Sequence, residues 1–136
     1  MIRVVFACVH NAGRSQMAAA FFNRLADPAR ARAISAGTRP AERVHPEVET
    51  AMCEAGMHLA GIRPQRLTAE LASGAGWLVT MGCGDDCPVI PGARREDWPL
   101  PDPKGQPPET VRRIRDDILA RVDAFVRAEG WARAGG

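Results

Sequence analysis

Residues 2–7 read Ile-Arg-Val-Val-Phe-Ala, a β-branched run of strand length with Cys8 at its end. A short, nearly continuous apolar run of this kind suits a strand covered on both faces. A polar, glycine-containing turn follows. Over residues 15–26 the period changes: Met17, Phe21 and Leu25 recur every fourth position, which predicts a helix. Residues 33–36 form a second short strand, ended by Gly37-Thr38. His45-Pro46 opens a second helix, whose apolar positions are Val48, Met52 and Met57 and whose end is weakened by Gly56. Residues 77–81 (Trp-Leu-Val-Thr-Met) form a third strand that runs into the loop Gly82-Cys83-Gly84-Asp85-Asp86-Cys87-Pro88. Residues 94–98 supply a last short strand. Residues 99–108 carry too many prolines for a helix or a central strand and read as a rigid loop. From about Glu109, Val111, Ile114, Ile118, Val122 and Phe125 follow at spacings of three and four, the single stripe of a core-facing helix.

Strand and helix alternate from the first residue. This predicts an α/β fold with a four-stranded parallel sheet flanked by helices on both faces, in one domain spanning residues 1–136. Ligands of such sheets bind beyond the carboxyl ends of the strands. The loops holding Cys8, Cys83 and Asp102 all emerge on that edge, so chemistry is expected there.

Composition changes this picture little. The chain has 136 residues, a quarter of them charged, and a net charge of +2. That excess is too small for a nucleic-acid footprint. No apolar stretch is long enough for a secretory core or a membrane span. The expectation is a monomer in the cytoplasm, where thiols stay reduced and four cysteines point to redox chemistry, metal binding or core packing. A zinc site built on Cys83 and Cys87 would need two further ligands from Cys53, His45, His58 and His10. Cys53 has apolar helix neighbours and reads as a core residue, so no metal and no organic cofactor is expected.

Cys8 and Arg14 stand in a C-x5-R pattern followed by Ser15. The spacing alone is common, but here the cysteine ends a strand, the arginine opens a helix, and Asn11 and Gly13 tolerate unusual backbone angles between them. Amides of Val9, His10, Asn11, Ala12 and Gly13, with the helix N-terminus, can converge on a tetrahedral anion. The same field favours a thiolate. Arg14 can grip two oxygens at once, Ser15 can donate to the sulfur, and Asn11 can pin the loop. Asp102, stiffened between two prolines, can protonate a departing oxygen. Asp85 and Asp86 read as solvated loop residues, His10 as incidental, His45 as structural and Trp77 and Trp98 as packing residues. Arg112, Arg113, Arg115, Asp116 and Asp117 read as the solvated face of the last helix.

The segment from Cys8 through Met17 (CVHNAGRSQM) resembles the active-site loop shared by low-molecular-weight protein tyrosine phosphatases and the arsenate reductases built on that fold. The likeness continues through Ser35-Ala36-Gly37-Thr38, His45-Pro46, Val79-Thr80-Met81, the cysteine pair and Asp102-Pro103. It implies arsenate as substrate, with phosphate or sulfate as mimics. Phosphorus(V) is not reduced by thiols under such conditions, whereas a cysteine–arsenate adduct attacked by a second thiolate releases arsenite. Resemblance to the thioredoxin-coupled branch gives Cys83 the role of attacking Cys8, gives Cys87 the role of handing the disulfide onward, and names thioredoxin as reductant. A small thiol as reductant, a phosphatase and a non-enzymatic oxyanion sensor stay open as alternatives. Gln16 stands where the phosphatases usually have proline, Ala19 stands where several relatives carry a glutamate of a potassium site, and Arg66 stands near another acidic ligand of that site, so no strong potassium site is expected.

Overall fold

The computed structural model describes residues 1–59, 61–83 and 87–134. Four strands, β1 (Ile2–Cys8), β2 (Ala31–Gly37), β3 (Trp77–Thr80) and β4 (Arg94–Asp97), form one sheet in the order β2-β1-β3-β4. Every pairing is parallel, with Cys8 opposite Gly37 and Ala7 opposite both Ala36 and Thr80. The helices are α1 (Arg14–Leu25), α2 (Pro46–Glu54), α3 (Ala69–Ala72) and α4 (Pro108–Ala128). The strands and long helices expected from the sequence are all present, most ends shifted by a residue or two, while α2 stops at Glu54 and leaves Met57 beyond it. β2 begins earlier than the apolar pattern indicates, because Ala31 and Arg32 pair with Ile2 and Arg3 whatever their hydrophobicity. The four-residue α3 gave no periodic signal. Its visible mark is Thr68, whose hydroxyl accepts from the Leu71 amide as an N-cap.

Alternation along β1 sorts its side chains between two cores. Val4, Phe6 and Cys8 join the larger one with α1, α2 and α4, built around Met17, Phe22, Met52, Ile118 and Val122. Val5 and Ala7 face the smaller one, where Leu78, Ala72 of α3, Ile90, Cys83 and Cys87 pack. The sheet is thus covered on both faces, but by three long helices on one and a short helix plus loop on the other. β4 forms an edge and presents only exposed charged residues, Arg94, Arg95, Glu96 and Asp97, a composition that discourages pairing with another chain.

The chain starts at β1, moves to β2 on one side, then crosses to β3 on the other. The reversal opens a crevice between the carboxyl ends of β1 and β3. Cys8 and the loop holding Gly82 and Cys83 meet there. The α4 stripe packs into the larger core, and Ile118 within it is wholly buried. Ile118→Ala should lower the unfolding free energy by about 2–5 kcal/mol, read as a lower urea midpoint with little change in slope.

Candidate active site

The turn between β1 and α1 is fixed from outside by its own carbonyl groups. Those of Cys8, Val9, His10 and Ala12 accept hydrogen bonds from the amides of Thr38, Arg39, Ala41 and His45, at 3.2, 2.8, 2.9 and 2.9 Å. In a trans peptide the next residue's N–H points opposite to the carbonyl. The amides of Val9, His10, Asn11 and Gly13 are therefore turned away from that segment, into the hollow of the loop. Gly37 makes this approach possible, since a Cβ there would lie 2.6 Å from the Val9 carbonyl oxygen. At the far end of the turn, α1 starts with no side-chain cap and no acidic residue in its first turn. Its N-terminal field is left unneutralised, as an anion site requires.

Asn11 holds the turn from inside. It is fully buried and takes a backbone φ of +50°, in the left-handed region that asparagine tolerates better than most residues. Its Oδ1 accepts from the Gln65 backbone amide at 3.0 Å, a group that can only donate, so the amide orientation is settled. Its Nδ2 then donates to Ser15 Oγ at 2.8 Å. Ser15 Oγ also lies 2.8 Å from Cys8 Sγ, a contact in which either atom can donate. Once Cys8 is a thiolate only the hydroxyl can donate, so the contact then stabilises the charge on sulfur. Gln16 closes the network by donating from Nε2 to the Asn11 carbonyl and Oδ1 at 3.0 and 3.1 Å. The residue that departs from the phosphatase pattern is a brace for the turn.

Arg14 is buried and held by two segments, the loop after β3 and the loop after β4. Its Nη1 donates to the Leu100 carbonyl at 3.0 Å, and its Nη2 lies 3.9 Å from Asp102 Oδ2. Its guanidinium packs against Gly82, where φ is +96° and any Cβ would overlap Nη1. Asp102 is half exposed, and its Oδ1 accepts from the Lys104 amide at 3.0 Å. Pro103 leans on Gly13, whose missing side chain leaves room for the ring. The structure thus brings Cys8, Arg14, Ser15 and Asp102 together with the intervening turn.

Cys83 and Cys87 are joined as a disulfide with Cα atoms 5.8 Å apart, both buried. Cys83 Sγ lies 3.9 Å from the Ala7 carbonyl oxygen, one residue from Cys8 but on the smaller-core side of the sheet. Asp85 and Asp86 lie outside the described residues. Two expectations need correction. Cys53 is exposed at the end of α2, not in the core. Arg115 is largely buried rather than solvated and pairs with Glu54 at 3.6 Å, beside the exposed Arg112, which pairs with the same carboxylate at 2.9 Å, tying α4 to α2. The His10 ring stands edge-on to that of His45, 6.3 Å between centroids. Sequence reasoning also missed the parts of Gln65, Gly82 and the Leu100 carbonyl. Of these only Gly82, a glycine directly after a strand, left a readable mark.

Two outcomes follow from this geometry. Gly82→Ala forces Arg14 away from Leu100, and losing a charge-assisted bond worth about 1.5–3 kcal/mol should weaken inorganic phosphate binding roughly ten- to a hundredfold, measured calorimetrically. Burial is the largest influence on His45 and lowers its pKa below the ordinary value. Glu47 and Asp102 oppose this, while Lys104 and His10 add to it. The unfolded chain therefore takes up a proton first as pH falls, so the stability is present above about 6.5 and is lost through the range below it. In urea titrations from pH 7.5 to 5.5, His45→Asn should flatten that loss.

A family model described as low molecular weight phosphotyrosine protein phosphatase matches residues 3–130. A Halobacterium salinarum protein named "Putative arsenate reductase" is 40% identical over 126 residues, covering 86% of this chain and 85% of that protein. A solved thioredoxin-dependent arsenate reductase from Corynebacterium glutamicum superposes with a TM-score of 0.81 at 34% identity. The match covers 94% of this chain and 61% of that one, so this chain spans about three fifths of the Corynebacterium protein. An arginine phosphatase from Geobacillus stearothermophilus superposes nearly as well, with a TM-score of 0.79 at 25% identity, covering 96% of this chain and 94% of the phosphatase. Two chemistries thus share one scaffold, and the chain belongs to the low molecular weight phosphotyrosine protein phosphatase family.

Proposed function

We propose that this chain is an arsenate reductase that works through Cys8, Cys83 and Cys87. The observation that carries the reading is the cysteine pair, with Cys83 Sγ 3.9 Å from the carbonyl oxygen of Ala7, the neighbour of Cys8. A phosphatase needs one nucleophile and water. A pair of thiols beside that nucleophile is useful when the bound oxyanion can accept two electrons, as arsenic(V) can and phosphorus(V) cannot under thiol reduction. The arsenate reductases among the relatives support the same choice.

The cycle starts with all three thiols reduced. Arsenate sits in the hollow lined by the amides of residues 9–13 and by Ser15, with two of its oxygens on Arg14. Cys8 thiolate attacks arsenic, and one oxygen leaves as water after accepting a proton from Asp102. Cys83 thiolate then attacks Cys8 Sγ. The electron pair of the sulfur–arsenic bond stays on arsenic, which departs as arsenite, and a Cys8–Cys83 disulfide remains. Cys87 attacks Cys83, freeing Cys8 and leaving the Cys83–Cys87 disulfide for an external dithiol, thioredoxin in this reading. The disulfide seen here corresponds to the end of that cycle. Cys83 must come round the end of β1 to reach Cys8, and Gly82 is the backbone pivot available for that turn.

Arsenate-dependent NADPH oxidation with thioredoxin and its reductase tests the scheme. The wild type should turn over continuously, whereas Cys8→Ser and Cys83→Ser should be inactive. Cys87→Ser should stop after one turnover, with a Cys8–Cys83 disulfide found by peptide mapping. Efficient hydrolysis of p-nitrophenyl phosphate that survives both Cys83→Ser and Cys87→Ser, without NADPH consumption, would assign a phosphatase instead. Turnover sustained by a small thiol but not by thioredoxin, and indifferent to Cys87, would replace the reductant.

A further inference from the structure

Each carbonyl from Cys8 to Gly13 meets a hydrogen-bond donor, and each such bond sets the direction of the next amide. Backbone amides of Thr38, Arg39, Ala41 and His45 hold the carbonyls of Cys8, Val9, His10 and Ala12, and the Met17 amide of α1 holds that of Gly13. Asn11 is the exception. Its carbonyl accepts from a side chain, Gln16 Nε2, at 3.0 Å. We propose that Gln16 is a positioning residue that turns the Ala12 amide into the hollow and so completes the row of donors offered to the oxyanion. The inference rests on the oxyanion reading of the loop and adds a named device to it.

The Asn11–Ala12 peptide needs a holder of its own. Asn11 takes the left-handed φ of +50°, and among the described residues no backbone amide reaches its carbonyl. Gln16 is buried, and the two atoms it meets, the Asn11 carbonyl oxygen and Oδ1 at 3.0 and 3.1 Å, can only accept. Its side-chain amide must therefore present nitrogen to both. In a trans peptide the Ala12 N–H then points away from Gln16, to the side onto which the amides of Asn11 and Gly13 open. Ala12 is wholly buried, and no acceptor among the described residues meets its N–H. A buried donor without a partner is costly, and an anion in the hollow satisfies it. Without the Gln16 donor this peptide is free to flip, which would turn the Asn11 carbonyl dipole toward the anion instead.

Sulfate binding to the full chain, with the Cys83–Cys87 disulfide intact, tests the assignment. Calorimetry gives the affinity, and residue-resolved amide NMR shows which N–H groups meet the anion. In the wild type, sulfate should shift the amide proton of Ala12 downfield together with those of His10 and Gly13. Gln16→Met keeps the length of the side chain without its donor, and Gln16→Glu at neutral pH keeps the shape but presents only acceptors. Each should weaken sulfate about tenfold or more. At saturating sulfate each should lose the shift at Ala12 and keep those at His10 and Gly13, whose directions depend on other carbonyls. That selectivity separates positioning from a general loosening of the turn, which would diminish all three shifts together. A wild-type Ala12 amide that ignores sulfate, a full Ala12 shift or unchanged affinity in either variant, or a uniform loss along the loop would each overturn the proposal and leave the oxyanion site standing. A wild type that binds no sulfate at all would overturn both.

Discussion

Asn11 is sealed from water with its backbone in the left-handed region, and the shape of the oxyanion loop depends on its bonds. A left-handed residue costs roughly 1–2 kcal/mol in general, and less for asparagine. Against this stand its side-chain bonds to Ser15, Gln65 and Gln16, each worth about 1 kcal/mol net and costing more if left unmade in a buried place. The bonds win. They also carry information: the Gln65 amide can only donate, which turns Asn11 Nδ2 to Ser15 and fixes the hydroxyl oxygen that lies beside Cys8 Sγ. A backbone group 54 residues along the chain thus helps to place the serine next to Cys8.

The fold supplies the second half of the constraint. Strand order β2-β1-β3-β4 puts β1 between two strands and reverses direction beside it. The end of β2 presses on the turn through Gly37, and the end of β3 presses on Arg14 through Gly82. Both contacts demand a missing side chain, because a β-carbon would take the space of a carbonyl oxygen in one case and of a guanidinium in the other. Arg14 is then held by its contacts with Leu100, Asp102 and Gly82 before any ligand arrives, so little side-chain freedom is left to lose on binding.

Much of this was legible in the sequence, for identifiable reasons. The apolar run of β1, the four-residue period of α1 and the stripe of α4 report burial, and burial decided those elements. The convergence of Cys8, Arg14 and Asp102 was readable because Cys8 ends a strand, Arg14 opens a helix and Asp102 sits in a proline-flanked loop on the same edge of the sheet. Gln65 and Leu100 were not, because they act through backbone groups that any residue would supply. Cys53 was misread because its helix neighbours are apolar: Ala51 and Met52 face the core, and one residue further round α2 faces solvent. Helical rotation of about 100° per residue outweighs local composition there. Arg115 reads as solvated for the converse reason, since its partner Glu54 belongs to α2, far along the chain.

Strand parity imposes the last condition. Cys8 shares a face with Val4 and Phe6, while Cys83 packs with Val5 and Ala7 on the other. In the oxidised state the two sulfurs are therefore kept apart by the sheet itself, although Cys83 reaches the carbonyl next to Cys8. A relay in which they bond requires Cys83 to leave the smaller core and swing about Gly82, the same residue against which Arg14 lies. The pivot of the attacking thiol and the seat of the anion-gripping arginine are then one position. On the relay reading, moving Cys83 toward Cys8 disturbs the arginine's seat in the same step that turns arsenate's replacement into neutral arsenite, which no longer needs a guanidinium to hold it.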